Sequence, residues 1–181
     1  MSLKHRNSIL KIALSGVCLA LCLLLPFLTA NSQSLGNILC LMHIPVLLCG
    51  FICGWQYGFV IGATAPLLRN LLFGMPPFPT VAVPMMAELA VYGLLTGLLY
   101  KFFAKKIGFV YLNLALSLVA GRMVSVLAKY ALYALDQTQF SLTTVLKMNF
   151  ITTLPGVALQ LVLVPTVLYG LKKGGVLRGD G

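Results

Sequence analysis

Eight polar or ionisable side chains lie inside otherwise apolar runs of this sequence: His43, Arg69, Asn70, Glu88, Arg122, Lys129, Lys147 and Asn149. A charge in such surroundings costs at least ~3 kcal/mol on membrane-insertion scales, so each must hold a ligand, pair with a neighbour or reach backbone groups. Glu88 is the one acid in any apolar run, and it is outnumbered by Arg69 and Arg122 even with Lys129 and Lys147 set aside. Surplus positive charge favours an anionic solute, such as a carboxylate, gripped by the planar fork of an arginine. Helical spacing gathers the set: Arg122 and Lys129 share a face, as do Glu88 and Tyr92, while Asn149, Thr153, Gly156 and Gln160 form one polar and small stripe. The bland alternatives stand beside this. Lys147 lies off the Asn149 face and, like Lys129, is placed to snorkel to headgroups. His43 is equally suited to capping a helix, and Arg69 with Glu88 to a structural ion pair. Arg122 has no second acid to meet, so a ligand or backbone carbonyls must satisfy it.

The elements that position these groups belong in a bilayer. Of 181 residues, 60% are hydrophobic and 9% charged, with mean hydropathy +0.99; soluble domains carry roughly 25% charged residues. The length suits about six spans of ~20 residues. The net charge of +10 is concentrated in three short segments (Lys4, Arg6, Lys11; Lys101, Lys105, Lys106; Lys172, Lys173, Arg178). That distribution marks inner loop ends under the positive-inside bias and argues against nucleic acid.

Taken in order, one transmembrane domain over residues 1–181 is expected, with helices at 9–30, 44–54, 58–73, 84–103, 109–135 and 142–171 and both termini cytoplasmic. The first apolar run reads as an uncleaved helix. Its small-residue stripe, Ala13, Gly16 and Ala20 flanked by Val17, lets another helix approach closely, in a partner or in this chain. Residues 31–41 carry no Lys or Arg and form an outer loop. Pro45 suits a first helical turn, but the helix it opens is too short to cross, so the loop must dip into the membrane against protein or a cavity. Gly50, Gly54, Gly58 and Gly62 make a close-packing ladder. An inner turn is expected at 55–57, a kink at Pro66 and a proline-rich outer hairpin at 74–84.

No nucleotide-binding loop, nucleophile motif or paired carboxylates occur, so neither catalysis nor a cofactor is expected. Five cysteines without a histidine cluster read as packing residues, not metal ligands.

The runs MHIPVLLCGFICGWQYGFVIGATAPLLRNLLFGMPP, AELAVYGLLTGLLY, AGR around Arg122 and NFITTLPGVALQLVLVP resemble the S-components of energy-coupling factor (ECF) transporters, the substrate-binding subunits of bacterial vitamin importers. The resemblance covers nearly the whole chain. It implies an all-α, six-helix integral membrane protein of the bacterial cell membrane, with an outward-opening solute pocket gated by the loop after the first helix. It also implies partners: a transmembrane coupling protein and two ATPases. The family's Ala-x-x-x-Ala coupling motif maps loosely onto Ala13 with Val17 or Gly16 with Ala20. The His-Ile-Pro entry and the Leu-Arg-Asn-Leu-Leu-Phe-Gly-Met-Pro-Pro run look most like pantothenate-type members, and pantothenate is itself a small carboxylate. On this basis His43, Arg69, Asn70, Glu88, Tyr92, Arg122, Lys129, Asn149 and Gln160 are the candidate substrate-binding residues. Ala13, Gly16, Val17 and Ala20 are the candidate partner interface. Three other readings remain: an S-component for another vitamin such as a pyridoxine-type compound, a stand-alone secondary carrier in which Glu88 or His43 titrates, and a non-transporting membrane scaffold.

Overall fold

The structure, a computed structural model, describes residues 3–29, 38–102, 107–135 and 141–174. Helix α1 spans Leu3–Leu24 and tightens into a 3₁₀ turn over Leu25–Thr29; α2 spans His43–Cys53, α3 Trp55–Phe73, α4 Ala82–Phe102 and α5 Ile107–Leu135. The last segment is divided into a short α6, Leu142–Leu146, a π-turn, Lys147–Ile151, and α7, Leu154–Lys173. No strand occurs among the described residues. The all-α membrane architecture expected from sequence is the one observed, with six principal helical segments among the described residues, of which the sixth is broken.

Among the described residues, four stretches are long and apolar enough to cross a membrane: Ser8–Phe27, Ala82–Phe102, Gly108–Ala134 and Thr143–Lys173. Helix α2 is apolar but has 11 residues, about 16 Å at 1.5 Å per residue. It is apolar on all sides, and all its residues but Ile52 are buried, as suits the core of a larger bundle. It packs against α1, α3, α4 and α7. Its start is built as its sequence requires: Pro45 lies in the first turn, where a missing N–H costs no bond, and the His43 and Ile44 amides donate to the Cys40 and Leu41 carbonyls at 3.0 and 3.3 Å.

The turn between α2 and α3 is tighter than expected. A single residue, Gly54, makes it with φ 103°, in the region open to glycine, so Trp55, Gln56 and Tyr57 already belong to α3. The glycine ladder then lets α4 lie directly on the α2–α3 pair. A Cβ at Gly58 would sit 2.5 Å from the Gly93 carbonyl oxygen, and one at Gly50 would sit 2.6 Å from the same atom. Close backbone approach through small residues is how membrane helices gain contact without a hydrophobic drive between them.

The sixth segment does not form the continuous helix expected over 142–171. Pro155, near the start of α7, has no N–H to continue the ladder, and its ring crowds the carbonyl one turn back. The chain widens before it, with the Thr152 amide reaching the Lys147 carbonyl at 3.0 Å. Of the expected loops, residues 31–37, 103–106 and 136–140 lie outside the described residues, as does the tail beyond 174.

Candidate functional site

The beginning of α2, the first half of α4, the second half of α5 and the π-turn with the start of α7 converge on a buried polar cluster. Helix α4 supplies Glu88 and Tyr92, one turn apart, and the Tyr92 hydroxyl donates to Glu88 Oε1 at 2.6 Å. His43, at the first turn of α2, places Nε2 3.7 Å from the same oxygen and its ring 5.5 Å from that of Tyr92. Helix α5 supplies Arg122 and Lys129. Arg122 Nη1 donates to the Asn149 carbonyl and to Thr153 Oγ1, and Lys129 Nζ donates to Asn149 Oδ1. Thr153 Oγ1 also donates to the Asn149 carbonyl at 2.6 Å. The π-turn therefore has a local consequence: Asn149 offers both its backbone and its side-chain oxygen to cations on α5. π-Turns recur at functional sites for this kind of reason.

Two turns further along α7, Gln160 Nε2 reaches the Cys40 carbonyl at 3.5 Å. Gly156 lies beneath residues 38 and 39, whose carbonyl oxygens would stand 2.6 and 2.9 Å from any Cβ there. The inner end of the loop before α2 is thus laid across α7. Cys40 turns it with φ 49°, an uncommon conformation for a residue with a side chain.

The electrostatics are unbalanced. Among the described residues neither Arg122 nor Lys129 forms an ion pair, because Glu88 is engaged by His43 and Tyr92. Five buried polar atoms in the cluster have no hydrogen-bond partner: His43 Nδ1, Arg122 Nε, Arg122 Nη2, Asn149 Nδ2 and Gln160 Oε1. Native interiors satisfy nearly all such groups, so an accumulation at one place requires a cause. Nε and Nη2 form one edge of the guanidinium, where two N–H groups point in parallel, and that edge matches the two oxygens of a carboxylate.

Seven of the nine candidate binding residues are gathered here: His43, Glu88, Tyr92, Arg122, Lys129, Asn149 and Gln160. Two are placed elsewhere. Arg69 is buried at the junction of α3 with the end of α1, where Nη1 donates to the Leu23 carbonyl at 3.0 Å. Its guanidinium carbon lies 5.5 and 5.9 Å from the ring centres of Phe27 and Phe73. It satisfies a carbonyl at a helix end and makes no ion pair with Glu88, contrary to the pairing weighed from sequence. Asn70 Nδ2 donates to the Pro76 carbonyl at 2.7 Å, and the Asn70 carbonyl accepts the Gly74 amide at 2.8 Å. It braces the proline-rich hairpin. Lys147 lies exposed, as its place off the Asn149 face requires.

Two features escaped the sequence reading. Cys40 contributes a carbonyl that takes two donors. A second polar set ties α4 to α5: Asn113 Nδ2 donates to the Thr96 carbonyl at 3.0 Å and Ser117 Oγ to Asn113 Oδ1 at 3.1 Å. The four-residue spacing of Asn113 and Ser117 in an apolar helix was the available signal. The four thiols on α1 and α2 are buried, as is Cys40, which fits their reading as packing residues.

The proposed partner stripe on α1 lies open. Ala13, Gly16, Val17 and Ala20 are exposed, while Ser15, Cys18 and Cys22 face the bundle. Among the described residues, no part of this chain buries that stripe, which was the alternative weighed from sequence.

The model of the family described as ECF transporter, substrate-specific component, matches residues 10–171. No curated protein and no solved structure matches the chain. The match spans every helix that contributes to the cluster, and the chain belongs to this family.

Proposed function

We propose, from that membership, that the chain captures a small carboxylate-bearing vitamin outside a bacterial cell membrane, with pantothenate favoured. A transmembrane coupling protein and two ATPase subunits then drive its uptake. As an integral membrane protein of a substrate-binding family it needs no chemistry of its own. Its task is selective capture. The observation that carries the anionic substrate is the unpartnered Nε–Nη2 edge of Arg122, buried beside Lys129, with neither cation in an ion pair among the described residues. Glu88 is held by His43 and Tyr92, so the acid shapes the site while the arginine faces the solute.

The reading has a direct test. Purified protein is titrated with pantothenate and with its uncharged alcohol counterpart, and the melting temperature is followed. A ligand at 100 times its Kd stabilises by about 2.7 kcal/mol, a shift of several degrees. The carboxylate should stabilise and the alcohol should not. Equal stabilisation by both would remove the anion argument, and silence across a panel of carboxylate vitamins would remove the substrate class.

A further inference from the structure

The unpartnered atoms of the cluster differ in hydrogen-bonding sign, and all but one of those signs are fixed by the partners their neighbours already have. The Lys129 ammonium can only donate, so Asn149 must turn its oxygen toward it, leaving Nδ2 as a donor. The Cys40 carbonyl can only accept, so Gln160 must turn Nε2 toward it, leaving Oε1 as an acceptor. His43 Nε2 lies 3.7 Å from Glu88 Oε1, too far for a hydrogen bond, so no partner fixes the sign of its Nδ1. The cluster therefore presents three donor atoms, Arg122 Nε, Arg122 Nη2 and Asn149 Nδ2, and one acceptor of fixed sign, Gln160 Oε1. Three donors suit a carboxylate. A carboxylate can do nothing for that acceptor, because it carries no proton to give.

We infer that Gln160 is a specificity-determining residue that accepts a hydrogen bond from a hydroxyl or amide N–H group of the bound carboxylate, so the site selects a hydroxylated or amide-bearing acid over a plain alkyl or aromatic one. This rests on the anionic reading above and adds to it the other end of the solute. Gln160 is fully buried on α7, so water does not compete for it. A solute bonding to Gln160 also meets the residue that holds the Cys40 carbonyl, and it is read at the place where the loop end crosses α7. An acid lacking hydroxyl and N–H groups would bury that acceptor unsatisfied, a penalty that discriminates far better than a missing methylene does.

The test uses the full-length native protein in lipid nanodiscs, with binding of pantothenate compared to that of an analogue whose hydroxyls are replaced by hydrogen and whose amide N–H is replaced by an ester oxygen. The native protein should bind this donor-free analogue about ten- to hundredfold more weakly. In Gln160→Leu the gap between the two ligands should shrink to roughly threefold or less, because the variant has no acceptor left unmet. Equal affinity of the native protein for both ligands would overturn the assignment, and this comparison does not depend on any variant folding. A Gln160→Leu protein that weakens both ligands by the same factor would also overturn it, leaving Gln160 as a tether for the loop. If the native protein ignores both ligands, a panel of carboxylates with and without hydroxyl or amide groups decides. Preference for the hydroxylated members, lost in Gln160→Leu, upholds the acceptor assignment while discarding pantothenate. No such preference discards both.

Discussion

At the scale of single residues, the site depends on which polar groups are already engaged. Arg122 was legible in the sequence because one acid cannot neutralise several buried cations. The structure gives that acid to His43 and Tyr92. Arg69 was not legible. What holds it is a backbone carbonyl and a phenylalanine more than forty positions earlier in the chain, together with Phe73, and no local spacing connects residues so far apart. The same reasoning predicts how the two arginines differ. Arg122→Ala should weaken anion binding by several kcal/mol, since truncating one partner of a buried charge pair typically costs about 2–5 kcal/mol. Arg122→Lys should recover a minor part, because an ammonium lacks the parallel N–H edge. Arg69→Ala should lower the melting temperature and leave the Kd of the folded protein within about threefold, as its described contacts, to Leu23, Phe27 and Phe73, lie at the junction of α1 with α3 and not in the cluster. Calorimetric titration of the three variants checks the set. Similar binding losses for Arg69→Ala and Arg122→Ala would mean that the end of α1 belongs to the site after all.

At the scale of elements, the glycine ladder announced close packing, and the α2–α3–α4 contacts follow from it. The break in the sixth segment was overlooked although Pro155 stood in plain sight, because apolar content continues across it and hydropathy does not register a missing N–H. The π-turn matters because it turns both oxygens of Asn149 toward α5. Pro155→Ala restores the donor and removes the ring clash, which favours regular α-helix through residues 147–155. We expect that variant to be at least as stable without solute as the native protein, and to bind the solute more weakly. Melting temperature and Kd, measured together, separate the effects. A destabilised protein with native affinity would show that the proline serves the fold alone. On the packing side, Gly58→Val should be far more damaging than a surface change. Its side chain has no room beside the Gly93 carbonyl, and overpacking of this kind costs about 1–3 kcal/mol or more. Its melting temperature should fall well below that of the native protein; an unchanged one would mean that α4 can shift away from α3.

At the scale of the whole molecule, two regions of the chain differ in chemistry. One end of the bundle gathers buried donors and acceptors, while α1 presents small side chains outward along a helix that otherwise packs on α2 and α3. Small residues on an exposed helix face gain nothing from lipid but permit close approach by another helix, which is what docking onto a transmembrane coupling protein requires. Gly16 isolates this role cleanly. A Cβ built there meets nothing within 4 Å, and leucine is a better helix former than glycine by up to about 1 kcal/mol. Gly16→Leu should therefore fold and bind solute as the native protein does, and should abolish uptake in cells that supply the coupling protein and ATPases. Paired measurements of solute binding by purified protein and of transport in whole cells decide the matter. Loss of binding would mean the stripe communicates with the site within the chain. Native uptake would mean that α1 meets lipid there, and the coupling surface would have to be sought on the exposed faces of α5 or α7.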